Sequence, residues 1–476
     1  LLGFCLALSF SVAAKPRFVY GEIAGPGSEL MLCDLDGDGL KDLVLMDDLD
    51  LSIFYQDRGN GFTAAQKQTC HLEHRPCVVW PAKLGKGPEC LLVMTGDGVD
   101  ELDFTNRTGP PVRRQIIRQA TLIPPAADGV SAQHLTLSAR TGDDWPLILV
   151  PVIGGLQVWQ HGQDWRQAQF IANAVDSQIL PSIRNPGFHQ AFNLNLCLSD
   201  VEKDGRDELM ICHGLPSNVR SYAFYPRRAD GLFATEPAMT YTNKSDWRTV
   251  LDWVDINRDG KVDLVKGTFL NEPSFLPWVP SAKTLVGVYL ADQQGRIPTE
   301  PQQVFRKHDW SSSFPVVDVD GDGFADMILG YVPFDTREQM RKLVTTKKLG
   351  FTLKVHFFRP GAGYSPDPDC QREIFVHVDK EFFAPISYYE ECINLEGDFN
   401  GDGEKDLLVR DRAEEISVYF FISREKGFNM EPDLQFHCPE PISWTQAMDL
   451  NGDGMSDLIV KLRNTDRYRI YLSQSQ

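Results

Sequence analysis

Basic residues are scarce in this chain relative to acidic ones: 47 Lys and Arg stand against 66 Asp and Glu over 476 residues, a formal net charge of -19. A sequence-independent nucleic-acid binder needs the opposite sign to displace counterions from phosphate, so that class is excluded. Long apolar runs are missing as well. After the first fourteen residues no stretch approaches a membrane-spanning length, and no transmembrane segment is expected. The ten His are scattered, with neither an H-E-x-x-H pair nor a nucleophile elbow, so zinc-protease and serine-hydrolase chemistry has no signature here. What the chain does have is 42% hydrophobic and 11% aromatic residues, enough for a large core and too many for a disordered acidic chain.

Leu1 to Ala14 carries no charge and ends in Val12-Ala13-Ala14 before Lys15-Pro16. It reads as the apolar core and small-residue cleavage site of a secretory signal, truncated at its start, with a buried N-terminal helix as the alternative. Residues 15–476 are then the exported protein, secreted or periplasmic. Phe4 just before Cys5 argues against a lipoprotein site. Nine Cys follow the presumed cleavage point, an odd number that leaves at least one unpaired. Cys70 and Cys77 form the nearest local pair, while Cys33 and Cys197, in apolar runs, read as small buried core residues.

The dominant feature is a nine-residue pattern that occurs six times: DLDGDGLKD from Asp34, DVEKDGRDE from Asp200, DINRDGKVD from Asp255, DVDGDGFAD from Asp318, DFNGDGEKD from Asp398 and DLNGDGMSD from Asp449. Oxygen-bearing side chains stand at positions 1, 3, 5 and 9, and position 6 is always Gly. The candidate ligands are Asp34, Asp36, Asp38 and Asp42; Asp200, Glu202, Asp204 and Glu208; Asp255, Asn257, Asp259 and Asp263; Asp318, Asp320, Asp322 and Asp326; Asp398, Asn400, Asp402 and Asp406; and Asp449, Asn451, Asp453 and Asp457. Position 7 adds a backbone carbonyl, from Leu40, Arg206, Lys261, Phe324, Glu404 and Met455. Such a set suits a hard cation, and calcium rather than magnesium, which tolerates flexible all-protein cages poorly. Up to six calcium ions are expected.

An EF-hand needs Glu at position 12 and flanking helices. Position 12 is instead Leu45, Ile211, Lys266, Leu329, Val409 and Val460, and the loops lead into DLVLM, ELMIC, DLVKG, DMILG, DLLVR and DLIVK, short runs typical of buried strands. The same residues speak against dockerin-type repeats. Loop starts are spaced by 166, 55, 63, 80 and 51 residues, so the first gap holds three periods in which two copies have lost their ligands. Ala82 to Cys90 and Ser138 to Pro146 are the candidates, each followed by an apolar run. A second landmark, an aromatic strand leading into a turn, follows each unit, from Ile53–Phe62 to the C-terminal RIYLSQSQ. Eight units of fifty to sixty residues with about four strands each predict an all-β fold, a β-propeller of eight, alternatively seven, blades. The last unit stops after its third strand, and Arg17-Phe18-Val19-Tyr20 is a strand without a unit. It is expected to complete the final blade and close the ring. An open solenoid is the alternative.

On these loops the chain resembles the FG-GAP/VCBS repeat family, whose blades in the integrin α-subunit head carry the same calcium loop between the first two strands. The Gly-Ala-Pro element of the integrin form is absent; Met46-Asp47-Asp48, Gly267-Thr268-Phe269 or Gly330-Tyr331-Val332-Pro333 stands there instead. The resemblance is therefore nearer to secreted VCBS-type proteins. It implies that calcium loops lie on one face and that loops between second and third strands lie on the other, where Phe269 to Lys283 and Tyr331 to Gly350 form long insertions.

Asp246-Trp247-Arg248 and His308-Asp309-Trp310 both place Trp eight residues before a loop, and Trp278 lies in the first insertion. Trp247, Arg248, His308, Trp310 and Trp278 are the candidate ligand-binding residues, since Trp beside polar groups suits a sugar face; packing between blades is the competing role. Arg337, Arg341, Lys342, Lys347 and Lys348 form a basic cluster that suits an acidic polysaccharide or a solvated helical face. Two functions remain: a binding or adhesion module for a glycan or extracellular protein, or a calcium-dependent polysaccharide lyase with His308 or His189 as base. Loop ligands account for 21 of the 66 acidic residues, and the remaining 45 nearly balance the 47 basic ones.

Overall fold

The computed structural model describes residues 16–27, 29–59, 61–73, 78–121, 137–172, 176–181, 188–193, 195–213, 219–244, 249–272, 281–307, 316–331, 341, 344–377 and 392–474. The expected leader, Cys77 and much of both insertions lie outside these residues.

The chain folds as eight four-stranded antiparallel sheets arranged as a β-propeller. Blade 1 is built from Glu29–Cys33, Asp42–Asp47, Asp50–Asp57 and Gly61–His71, hydrogen-bonded in that order. Each later blade repeats the meander. Second strands are apolar at successive positions because blades stack on both of their faces. Leu147–Val152 is buried at all six positions, and Leu43, Val44 and Leu45 are fully buried. The cores lie between blades: Met31, Val44 and Ile53 of blade 1 meet Val79, Leu91 and Leu102 of blade 2. Burial of each such side chain contributes about 1.5–3 kcal/mol, so a blade is stable only beside its neighbours.

Both degenerate copies occupy the expected places. Val78–Lys83 pairs with Glu89–Thr95 in the register Ala82 to Cys90, and Ser138–Ala139 pairs with Leu147–Val152. Ring closure also follows the expectation. Arg17–Ala24 pairs antiparallel with Arg467–Gln474, setting Tyr20 opposite Tyr471, and Arg469 donates from Nε to Glu22 at 2.8 Å. Sequence spacing did not reveal the hairpin Asp176–Pro181 with Phe188–Asn193, inserted between blades 3 and 4.

One cysteine expectation changes, and the expected pairing of Cys70 with Cys77 falls on residues outside those described. Cys33 is buried, but Cys197 is exposed, because the first strand of blade 4 turns that side chain away from the neighbouring core. Cys70 carries no disulfide within the described structure.

Among the described residues, one junction is thinner than the rest. Around the loop face, a backbone N–H of one blade meets a carbonyl of its neighbour: Lys41 to Leu450, Glu89 to Asp34, Gly85 to Asp144, Asp207 to Arg140, Ala325 to Ile256, Lys405 to Val319 and Ser456 to Asp398. Between blades 4 and 5 no such bond is found among the described residues. The buried cluster there consists of Phe224, Met239 and Val262.

Candidate metal centres

Numbered by blade, the six acidic loops are loops 1 (34–42), 4 (200–208), 5 (255–263), 6 (318–326), 7 (398–406) and 8 (449–457), each joining a first strand to a second. Their backbones are folded around the carboxylates. Position 1 accepts the N–H of the position-6 Gly in every loop, at 2.8–3.1 Å. Those Gly residues have φ between 76° and 88°, a left-handed turn that a side chain would strain. Position 5 accepts the N–H of position 7 in every loop, at 2.9–3.0 Å. Position 9 accepts the N–H of position 2, at 2.7–3.0 Å.

Position 9 is also tied to the third strand or to the residues just beyond it. The second oxygen of Asp42, Asp263, Asp326, Asp406 and Asp457 accepts the N–H of Gln56, Ala291, Phe358, Phe421 and Ser473 respectively. These five Asp are fully buried. Burial, only partly offset by the N–H donors, pushes Asp42, Asp263, Asp326 and Asp406 up to about 7 and Asp457 up to about 6. A cation in the loop relieves that cost. In loops 1 and 6 one oxygen each of Asp34, Asp36 and Asp42, and of Asp318, Asp320 and Asp326, lie within 4.8 Å of one another. Carboxylates already held by backbone donors, converging around a space of that size, form a donor set that fits calcium.

Loop 4 departs from the others. Glu208 replaces Asp at position 9, and its longer side chain, 1% exposed, leaves Oε1 without a partner. Burial pushes it, too, up to about 7. Loops 4 and 5 carry Lys203 and Arg258 at position 4, with φ of 56° and 59°, where the other loops have Gly. Both side chains cross to loop 6, Lys203 Nζ donating to the Gly323 carbonyl at 3.3 Å and Arg258 to the Asp322 carbonyl at 3.0 Å.

The degenerate copies do not hold ligands but brace their neighbours. Glu89 of blade 2 accepts from the Asp34 N–H and from Lys41 Nζ, 2.7 Å away. Arg140 of blade 3 grips the position-8 carboxylate of loop 4, Asp207, with Nε at 2.9 Å and Nη2 at 2.6 Å.

At the thin junction lies a cavity of about 450 Å³ reached by blades 4, 5 and 6. Asp252 and Trp253, on Thr249–Val254 of blade 5, line it together with Lys203, Glu208, Phe224 and Asp318. Three buried polar atoms there lack a partner: Trp253 Nε1, Glu208 Oε1 and Asp318 Oδ1. Burial raises the Asp252 carboxyl above the usual range.

The five ligand-binding candidates read from the sequence, Trp247, Arg248, Trp278, His308 and Trp310, lie outside the described residues. The Trp spacing before loops 5 and 6 does not point to Trp253, two residues ahead of loop 5. Nor does the loop pattern point to Arg107 and Arg424. Arg107 contacts Asp36, Asp38 and Asp57, and Arg424 contacts Asp320 and Asp322, each from the blade following the loop. The shared motif Phe-x-x-Arg, at Phe104–Arg107 and Phe421–Arg424, was the available signal.

No helix among the described residues is long and apolar enough to cross a membrane. Residues 398–460, from loop 7 through most of the second strand of blade 8, match the FG-GAP-like repeat. No curated protein matches the chain. Among solved structures it is similar to an Agrocybe aegerita lectin, described as specifically recognising non-reducing terminal N-acetylglucosamine. That likeness covers 72% of this chain and 79% of the other, at 14% identity and a TM-score of 0.40.

Proposed function

We propose that this protein is an exported, calcium-binding propeller that works as a binding module, and that its ligand is a glycan held at the junction of blades 4 and 5. Calcium is held by the position 1, 3, 5 and 9 oxygens and the position-7 carbonyl, and supplies the positive charge that the buried position-9 carboxylates lack.

The observation that carries the ligand class is Trp253, whose buried Nε1 is a donor without an acceptor and whose side chain lines a mostly apolar cavity beside Asp252. A buried indole N–H left unmet costs about 1–3 kcal/mol, which a ligand recovers. An apolar ligand and a simple cation alike leave the indole unmet. A hydroxyl accepts from Trp253 and donates to a carboxylate at once, and vicinal hydroxyls on an apolar ring suit a pocket that also presents Phe224.

A glycan array run with calcium and with excess EGTA tests this reading. Saturable binding is expected, weakened by EGTA and by Trp253→Phe, which removes the N–H and keeps the ring. Losing one such hydrogen bond costs about 1 kcal/mol, a roughly fivefold weaker Kd. Equal affinity in wild type and Trp253→Phe rules out this site. Release of unsaturated uronate during the assay identifies a lyase instead.

A further inference from the structure

The position-5 carboxylate of every loop has one oxygen on the position-7 N–H and receives a second donor, and the source of that donor varies. Asp204 and Asp259 receive it from within their loops, from Arg206 at 2.7 Å and Lys261 at 3.1 Å. Asn400 of loop 7 turns its Nδ2 onto Asp402 at 2.8 Å, and Ser473 reaches Asp453 at 3.1 Å. Loops 1 and 6 differ. They carry Asp at position 3, which has no donor to give, and they place two like charges side by side with no basic residue at position 7. Here the donor comes from the next blade. Arg107 bridges Asp36 and Asp38, with Nη2 3.1 Å from Asp38, and fastens to Asp57 at 2.9 Å. Arg424 bridges Asp320 and Asp322. Each guanidinium also stands over an aromatic ring of the blade it grips, Tyr55 at 5.0 Å and Phe357 at 5.2 Å.

We infer that Arg107 and Arg424 are positioning residues for calcium in loops 1 and 6: each holds the position-3 and position-5 carboxylates through the oxygens that the backbone leaves over, and so makes the metal site of one blade depend on the next. The backbone already takes the other oxygens, Asp36 Oδ1 from the Asp38 N–H at 3.1 Å and Asp38 Oδ1 from the Leu40 N–H at 2.9 Å. Arginine suits this place because a planar fork spans two carboxylates at fixed spacing. Asn at position 3 is the alternative solution, since in loop 7 it removes one charge and supplies the bridging donor from the same side chain. Another Phe-x-x-Arg, Phe224–Arg227, follows the same logic: it comes after blade 3, whose loop has no carboxylate at the ligand positions, and Arg227 turns to the Arg140 carbonyl instead.

The inference rests on the calcium reading above, and its test separates the two. Calcium is titrated into the full chain against a chromophoric chelator, for wild type, Arg107→Gln with Arg424→Gln, and the quadruple variant that adds Asp36→Asn and Asp320→Asn. Loss of an outer-layer partner weakens metal binding about tenfold or more. Two of six sites are expected to weaken by that factor in the double variant, and to recover most of it in the quadruple one. Unchanged or tighter binding in the double variant overturns the inference, the second because the arginines then compete with calcium. Weakening without recovery in the quadruple variant also overturns it, and since that variant rebuilds a loop already used by blade 7, it remains informative if the double variant folds poorly. A wild-type chain that binds no calcium removes the calcium reading itself, and this inference with it.

Discussion

Asp326 joins three segments with one carboxylate: its oxygens hold the Val319 N–H of its own loop and the Phe358 N–H beyond the third strand, from a fully buried position. Asp326→Asn turns one acceptor into a donor facing an N–H, and a buried unsatisfied group costs about 1–3 kcal/mol. Urea unfolding in EGTA is expected to show that loss before any metal effect enters. Asp322→Asn should change the same midpoint less, because its side-chain amide oxygen still accepts the Phe324 N–H and the ion pair with Arg424 that it loses is partly solvated, at 30% exposure. Equal losses in the two variants contradict this reading of position 9. Such roles were half legible in the sequence. The pattern of oxygens and Gly identified the loop, but that position 9 fastens the loop to the third strand or just beyond it depends on a partner that lies 32 residues onward in loop 6. Arg107 and Arg424 were hidden for the same reason, their partners lying 71 and 104 residues away.

At the scale of the strand, apolar runs proved the reliable sign, because a blade's second strand is covered on both sides by its neighbours. That is why the two ligand-free copies could be placed: Leu91-Leu92-Val93-Met94 and Leu147-Ile148-Leu149-Val150 keep the packing requirement after the metal requirement has gone. The hairpin at 176–193 obeys no repeat constraint and carries no period to find. Arg17–Ala24 was legible only by subtraction, as a strand left over at one end where the other end lacked one. Removing residues 17–24 leaves Arg467–Gln474 with an open edge, a template for pairing with other chains. The shortened protein is expected to melt at lower temperature and to associate with rising concentration in light scattering. A monomer that melts like the full chain contradicts the closure role.

For the whole molecule, charge and stability are linked through the loops. Six calcium ions, if bound as proposed, would bring the formal charge from -19 to -7. At about 1 mM calcium and a Kd on the order of 0.1 mM, each proposed site would stabilise the fold by roughly 1.4 kcal/mol, or about 8 kcal/mol for six independent sites. Excess EGTA should therefore lower the melting temperature markedly, and an unchanged midpoint counts against structural calcium. The ring should also open unevenly. With a cluster whose buried members among the described residues are Phe224, Met239 and Val262, and no described backbone bond across the loop face, the junction of blades 4 and 5 is expected to be the weakest of those described. Hydrogen exchange in Thr249–Val254 is expected to outpace exchange in Asp457–Leu462, where the neighbouring core is larger. Similar protection in the two strands contradicts a weak junction.

The strand that closes the ring also sets the order in which it is made. Glu22 meets Arg469 across 447 residues of chain, so the first described strand to leave the ribosome pairs with the last. Contacts of such separation form late, after the entropy of closing the intervening loop has been met. Until then the remaining blades exist as an open arc with exposed sheet edges, the state in which a β-rich chain is most prone to wrong partners. Refolding of the full chain should therefore be slower and more concentration-sensitive in its final phase than in its first, a phase that fluorescence at the Tyr20 and Tyr471 pair is placed to follow.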